Sequence, residues 1–439
     1  MLTRICLGAA LLAAIPTWAQ VEPGATGALP GTGGAMETPP PVSGEAYATT
    51  TGSESRTNYL RGALNLQTAY DDNVLEGEGA TPVSDVSYVL RPTISLDQTS
   101  SRTHRTFVYS PDFEFYQHIS SRNEADQDAA AVFAYRLSSH ATVTVRDSFN
   151  RTTNVFNQTI DGVSGSTQPA TPLVIAPFAT EIANVASAQI SQQFSPNGMV
   201  GASGGYSILN YPNPSQAAGL ADSSSRTGSG FYNLRLGPTL YLGANYQFAS
   251  MSGSSGSLHS QATVNGISAF GTWYWRHLVS ISVAGGPQHL TVVQTGVPTS
   301  SSWMPSINAS VGGQLSRAGF AASIGHTTSG GGSLLGAFSS SSASATLRWQ
   351  LARSWNVASS FNYELNKSAT PLIGLGAGGG HTVEGTALLQ HPISDHLTAE
   401  FGYSRLHQSY GGVPVLSQTP DSDREYVSNS YQFNRALGR

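Results

Sequence analysis

The chain has 439 residues, of which 11% are charged, and a net charge of −5. An ordinary globular protein carries roughly 25% charged residues. The mean hydropathy is nevertheless −0.14, and beyond residue 20 no apolar run approaches the ~18 residues of a membrane-spanning helix. This balance disfavours a helical membrane protein, and without a basic surplus there is no footprint of a nucleic-acid-binding protein.

The N-terminus predicts a signal peptide over residues 1–19. Arg4 supplies a positive charge, residues 5–16 form a short apolar core, and Thr17 and Ala19 suit cleavage before Gln20. The single cysteine, Cys6, falls inside this segment. The mature chain is therefore expected to hold neither a disulfide nor a cysteine metal site.

Residues 20–57 are rich in proline, glycine, alanine, serine and threonine. Such a composition can bury little apolar surface, so it predicts a flexible periplasmic tail. The remainder, 58–439, is predicted to form one outer-membrane barrel.

From Tyr59 onward, apolar and polar residues alternate. In 85–97, for example, Val86, Tyr88 and Leu90 are interleaved with Ser87 and Arg91. This period of two places one apolar and one polar face on a strand. About eighteen such segments occur, most of a length that crosses a bilayer when tilted. In 260–275 the apolar face shifts near Phe270, which predicts a bulge.

The connections between these segments alternate between long and short. The residues at 71–84, 117–128 and 151–181 form long connections, whereas those at 98–102 and 195–198 are short. Tight periplasmic turns and longer outer loops are typical of membrane barrels. Because unpaired backbone groups are costly in lipid, the sheet must close on itself. The sequence therefore predicts an all-β, transmembrane, antiparallel up-and-down barrel of 16–18 strands, about 18, with both termini periplasmic.

Four tryptophans flank two of the short turns: Trp273, Trp275, Trp349 and Trp355. An aromatic ring with one polar edge suits the headgroup region, so we predict a periplasmic aromatic girdle. The alternative is burial of these rings in a soluble core.

Three short motifs resemble a known family. They are AYDDNVL at 69–75, LRPTISL at 90–96 and YQFNRALGR at 431–439. Together they are similar to the outer-membrane β-barrel porins encoded beside exopolysaccharide or exosortase gene sets. The resemblance implies a channel or export-associated barrel without catalytic residues.

Little in the sequence indicates catalysis. The stretch GASGG at 201–205 matches a nucleophile elbow around Ser203, but it lies inside an alternating segment instead of a strand-to-helix turn. The eleven histidines are scattered without metal-ligand spacing. We therefore predict no enzyme activity, no catalytic residues, no metal and no cofactor. The expected partners are outer-membrane lipid and lipopolysaccharide, the outer-membrane assembly machinery and a second copy of the chain, but no nucleic acid.

The leading functional hypothesis is an outer-membrane channel, porin-like or associated with exopolysaccharide export, that passes polar solutes through a polar lumen. The alternatives are a structural or adhesive barrel with a closed lumen and, third, an outer-membrane hydrolase. Charges on the polar strand faces are predicted to line the lumen: Arg61, Arg91, Arg136, Arg146, Arg235, Arg348, Glu364, Glu384 and Glu400.

The longest connection, 151–181, contains an apolar stretch that is unexpected in external water. Its apolar side chains are Leu173, Val174, Ile175 and Phe178. Exposing them would cost roughly 1.5–3 kcal/mol each relative to burial. Three explanations remain open: a constriction inside the barrel, a contact with a neighbouring subunit, or an early start of the next strand. Pro172 and Pro177 disfavour the strand, because proline cannot donate to a ladder.

Overall fold

A computed structural model describes residues 36, 38–39, 42, 58–74, 82–156, 174–175, 179–213, 215–217, 219–275, 278–330, 333–369, 379–411 and 421–437. The predicted signal peptide and most of the predicted tail lie outside the described residues.

Eighteen antiparallel strands form one sheet, in which β1 pairs with both β2 and β18 and so closes the ring. The closed barrel predicted from the sequence is confirmed, at the upper end of the expected strand count. The strands are β1 (Tyr59–Asp71), β2 (Asp85–Thr99), β3 (Thr103–Tyr116), β4 (Glu124–Arg136), β5 (Ala141–Thr152), β6 (Glu181–Ser195), β7 (Gly198–Asn210), β8 (Asp222–Arg235), β9 (Leu240–Ser255), β10 (Leu258–Trp275), β11 (Val279–Gln294), β12 (Val297–Gln314), β13 (Ala318–Gly330), β14 (Ala337–Ala352), β15 (Trp355–Ser368), β16 (Gly379–Pro392), β17 (Leu397–Gly411) and β18 (Asp421–Ala436).

A single-turn 3-10 helix, Ser120–Arg122, lies between β3 and β4. Among the described residues, no helix is long and apolar enough to cross a bilayer.

The alternation of apolar and polar residues in the sequence corresponds to the outward and inward faces of each strand. On β1, the Leu64 side chain is 43% exposed on the outer surface, whereas the adjacent Asn65 is 6% exposed and donates to Ser428 Oγ of β18 at 3.0 Å. Cross-strand partners share a face, and Asn65 lies opposite Arg91 of β2. The exterior is apolar and the interior is polar, the reverse of a soluble core.

Aromatic side chains ring the outer surface near the short turns. The indoles of Trp273, Trp275 and Trp349 are about half exposed. Trp355 stacks on His391 with a ring-centroid distance of 4.4 Å. Amphipathic rings at this height match the interfacial girdle of a membrane barrel.

The predicted alternation of long and short connections fails at two places. β9 joins β10 through residues 256–257, and β11 joins β12 through residues 295–296. Gly256 and Gly296 have φ values of +60° and +77°, a conformation that glycine adopts without strain. Tight turns at the outer end therefore let β9 to β12 extend as a wall beyond the shorter neighbouring strands.

The bulge predicted near Phe270 is absent. β10 pairs with β9 in unbroken register from Leu258 to Trp273. Phe270 points inward because its ring lies over Gly243 of β9, where a Cβ atom would meet the ring at 2.2 Å. The apparent shift of the apolar face arises because β10 has apolar residues on both faces.

The sheet splits at its outer end between β12 and β13. Their pairing ends at Ile307 and His326, although both strands continue. Above this point the β13–β14 hairpin bends inward, so that Ala337 packs with Leu290 and Val292 on the inner face of β11. Thr328 N donates to Gln288 Oε1 at 3.3 Å. The described residues of the hairpin tip, 329–330 and 333–340, therefore lie within the barrel.

Candidate functional site: the barrel lumen

The predicted lumen charges occupy the inward-facing register positions of their strands. Glu364, Glu400 and Arg146 are buried, and most of the others are half-buried. Arg136, the last residue of β4, is exposed beside a short turn. The structure brings few of these nine side chains into contact with one another and pairs several with polar neighbours instead.

Arg91 is one of the predicted residues for which the structure provides an ionic partner. Its Nε donates to Asp112 Oδ2 of β3 at 3.0 Å, and a terminal nitrogen of the same guanidinium contacts that oxygen as well. Glu400 accepts from Gln390 Nε2 at 2.9 Å, and Glu384 lies 3.4 Å from Asn362 Nδ2. Cross-strand pairing thus holds these groups against the wall.

Among the described residues, the most buried ion pair in the lumen involves a residue that the sequence analysis missed. Arg424 of β18 reaches past β1 and β2 to contact Glu114 of β3, and its Nη2 donates to Ser87 Oγ of β2 at 3.3 Å. The two side chains are 7% and 3% exposed. Arg424 was not among the predicted lumen charges, although it lies on β18, which begins at Asp421.

The start of the β5–β6 connection is held inside the barrel by two acidic residues of the wall, Glu114 of β3 and Asp126 of β4. Asn154 Nδ2 donates to Glu114, and Thr153 N donates to Asp126 Oδ1 at 3.0 Å. The Arg424 guanidinium lies over the Phe156 ring at 5.4 Å. One cluster of charges therefore fixes both the wall and the connection.

The later part of the same connection reaches the wall at β17. The backbone of Ile175 makes two hydrogen bonds with the Gln408 amide, its N–H donating to Oε1 at 2.7 Å and its carbonyl accepting from Nε2 at 2.8 Å. Ile175 and Val174 are each 1% exposed, and Ile175 packs on Leu406. Leu173 and Phe178 lie outside the described residues. The two described members of the predicted constriction are inside the barrel.

A third element completes the outer part of the lumen. Val174 packs with Leu334 and Phe338 of the hairpin tip and with Tyr410 of β17. Tyr211, which follows β7, donates from its hydroxyl to Ser333 Oγ at 2.6 Å. Burial raises the pKa of Tyr211, so the phenol stays protonated and keeps donating.

Around the ring, the inner wall differs between two arcs. In β6 to β13, the charged residues at inward positions are Glu181 and Arg235, which lie at opposite ends of the barrel. The rest of this neutral arc carries hydroxyl and amide groups, such as Ser203 paired with Ser229 at 2.7 Å. β14 to β18 and β1 to β5 form a charged arc, which contains Arg348 of β14 and the pairs described above.

These contacts place Ser203 mid-strand on β7, in a serine pair and not on a strand-to-helix turn. Among the described residues, no group of three or more His, Cys, Asp or Glu side chains could hold a metal ion.

A closed antiparallel ring with an apolar, aromatic-edged exterior and a polar interior is the architecture of a bacterial outer-membrane β-barrel. The chain belongs to that class and is located in the outer membrane. No family model and no curated protein matches its sequence.

Several solved structures are similar to this one. OccK2 (OpdF) of Pseudomonas aeruginosa aligns with 8% identity and a TM-score of 0.42, over 87% of this chain and 98% of that one. OccAB2 of Acinetobacter baumannii aligns with 9% identity and a TM-score of 0.39, over 87% and 100%. The siderophore receptor PiuA of Acinetobacter baumannii aligns with 7% identity and a TM-score of 0.44, over 86% and 82%.

Proposed function

We propose that this protein is a channel that passes polar solutes through its lumen. The observation that supports this most is the inner wall itself, where polar side chains from all eighteen strands face a space enclosed by the sheet. A wall of hydroxyl, amide and paired charged groups can replace part of the water shell of a polar solute. The proposal assigns no catalytic step to the chain.

The narrow part of the channel is proposed to lie at the outer end. The β5–β6 connection contacts the charged arc through Asn154, Phe156 and Ile175. The β13–β14 tip meets it there through Leu334 and Phe338. Loops as long as residues 151–181 in compact proteins are usually functional or disordered, and the buried contacts support a constriction over a contact with a neighbouring subunit.

Single-channel recording in planar bilayers tests the channel and its constriction together. Replacing Gln408 by leucine removes both hydrogen bonds to Ile175 while retaining side-chain volume, so we expect a higher or noisier conductance than that of the unaltered chain. Ser404→Ala, an inward-facing change on the same strand, is the matched control and should leave conductance unchanged. Deleting residues 160–178 should admit larger neutral sugars.

A barrel with a closed lumen is the second candidate, and the apolar clusters inside the outer end favour it. If the unaltered chain, Gln408→Leu, the deletion and a chain that lacks residues 20–57 all fail to conduct while folding normally, the channel is refuted and the closed barrel stands. A fall from trimer to monomer on native gels upon deletion, without a change in conductance, would assign the loop to a subunit contact.

We further propose from the sequence motifs that the channel is associated with polysaccharide export. The motifs at 69–75, 90–96 and 431–439 resemble those of barrels encoded beside exopolysaccharide gene sets, which supports an association with polysaccharide export. Export assays in a strain that lacks the gene test this reading independently of conductance. Normal polymer secretion in that strain would contradict it.

A further inference from the structure

Part of the predicted tail does not lie free of the barrel. Met36 and Val42 are 6% and 1% exposed, and both pack with Met199, Phe231 and Phe270 on the inner face of β7, β8 and β10. Tyr241 of β9 completes this cluster. Because these wall residues lie near the short-turn ends of their strands, the tail occupies the periplasmic part of the lumen.

Polar contacts add direction to this apolar packing. Met36 N donates to Gln193 Oε1 of β6 at 3.1 Å. The Thr38 hydroxyl lies 3.7 Å from the Met199 sulfur. Val42 N donates to the Pro39 carbonyl at 2.9 Å, so the described tail residues form a turn at the wall. A backbone hydrogen bond to a wall amide fixes the position of a segment in a way that apolar contact alone does not.

A further polar group lies on the same patch of wall. Asn233 of β8 stands in register between Met199 of β7 and Gly243 of β9. It is 0% exposed, and both side-chain polar atoms lack a hydrogen-bond partner. A buried amide with neither its donor nor its acceptor satisfied is costly, so this position is suited to pairing with a peptide group or a solute that enters the seat.

We propose that the inner wall around Gln193, Met199, Phe231, Asn233 and Phe270 is a peptide-binding seat, and that Met36, Thr38, Pro39 and Val42 of the tail occupy it as an intramolecular plug of the channel. The inference rests on the proposed channel function. The plug closes the lumen at its periplasmic end, along the neutral arc, whereas the constriction lies at the outer end. Its release opens the lumen, and a solute with an apolar or amide-bearing part competes for the same seat.

Conductance of tail variants tests the plug. Met36→Asp with Val42→Asp places two charges against the apolar wall, which disfavours seating. We expect a higher single-channel conductance than that of the unaltered chain and fewer closures. Val21→Asp with Leu29→Asp adds the same two charges to the same tail and serves as the matched control. Heat-shifted mobility on gels verifies that each variant folds into a barrel.

Cross-linking supplies a second measurement. In a chain with Cys6 removed, Thr38→Cys with Met199→Cys should be joined by a short bis-methanethiosulfonate reagent, which forms one disulfide with each thiol and releases methanesulfinate, and the joined protein should conduct less until the link is reduced. Thr38→Cys with Gln408→Cys, an inward position near the outer end, should not be joined.

The outcomes separate the two proposals. If all folded variants conduct equally and no specific link forms between positions 38 and 199, the plug is refuted while the channel stands. If the link forms but the folded acidic pair never conducts, the channel fails and the seat remains as a structural contact. An equal rise in conductance for the control pair would show that tail charge, and not the seat, sets the current.

Discussion

The neutral and charged arcs of the lumen hold their internal segments by different means. On the neutral arc, the tail and the hairpin tip pack through apolar side chains such as Phe270, Leu290 and Ala337. On the charged arc, the β5–β6 connection is held through Glu114, Arg424 and Gln408, with ionic and amide contacts.

The difference follows from the cost of burying charge. An apolar segment laid over unpaired carboxylates or guanidinium groups would strip their water without replacing it. It can be seated only where the wall residues that it touches are uncharged, as around Phe270 on the neutral arc and around Leu406, on which Ile175 packs, on the charged arc. Conversely, a segment that offers amide and aromatic groups can cover a charged wall, provided that the charges are paired first. The comparison predicts that changes in the charged arc affect stability strongly, whereas changes in the neutral arc affect mainly gating.

The largest effect is expected from breaking the buried ion pair. Arg424→Leu leaves Glu114 buried without its cation and should destabilise the barrel by about 3 kcal/mol. Urea unfolding in lipid vesicles measures it. The double variant Arg424→Leu with Glu114→Leu should recover most of the loss, since neither charge is then left alone. A double variant as unstable as the single one would show that the pair does not hold the arc.

The next largest effect is expected from placing a charge on the lipid-facing side of a strand. Arginine at Leu64, near the middle of β1, should cost about 2–4 kcal/mol. Gln67→Arg, at an inward-facing position on the same strand, should cost far less. The same unfolding assay compares them. Equal tolerance would mean that the register is displaced by one residue, because such a slip exchanges the two faces.

Two buried asparagines, one on each arc, should respond in opposite ways to replacement by leucine. Asn65 on the charged arc has a partner in Ser428, whereas Asn233 on the neutral arc has none. Asn65→Leu should destabilise by about 1 kcal/mol, and Asn233→Leu should stabilise by a similar amount because it removes an unsatisfied buried amide. A loss of stability in Asn233→Leu would show that this amide has a partner in the folded protein.

The smallest effect concerns ion selectivity. Neutralising Arg61, Arg91 and Arg146 should raise cation selectivity, as measured by reversal potential. Arg91→Gln alone removes the cation that contacts Asp112 and should shift selectivity in the same direction. Arg91→Gln with Asp112→Asn should return it close to the starting value. An unchanged reversal potential in all variants would place these arginines outside the ion path.

The antiparallel barrel could be predicted from the alternation of apolar and polar residues. Alternation along segments such as 85–97 specifies which side chains point outward, since successive residues in a strand face opposite sides. It also located Arg91, Glu364 and Glu400 on the polar face, and it identified Val174 and Ile175 as too apolar for external water.

Which segments of the chain lie inside the barrel became clear only from the tertiary structure. Alternation predicts that a residue faces inward, but not which distant segment it contacts. The hydrogen bonds between Gln408 and Ile175, and the packing of Met199 with Met36 and Val42, could therefore not be predicted from residue spacing. The sequence of β10 resembles that of a bulged strand because apolar residues lie on both of its faces. A strand with two apolar faces does not show the apolar–polar alternation of period two. Arg424 pairs with Glu114 only because closure of the barrel brings the last strands beside the first, and the sequence carries no local signal of that contact.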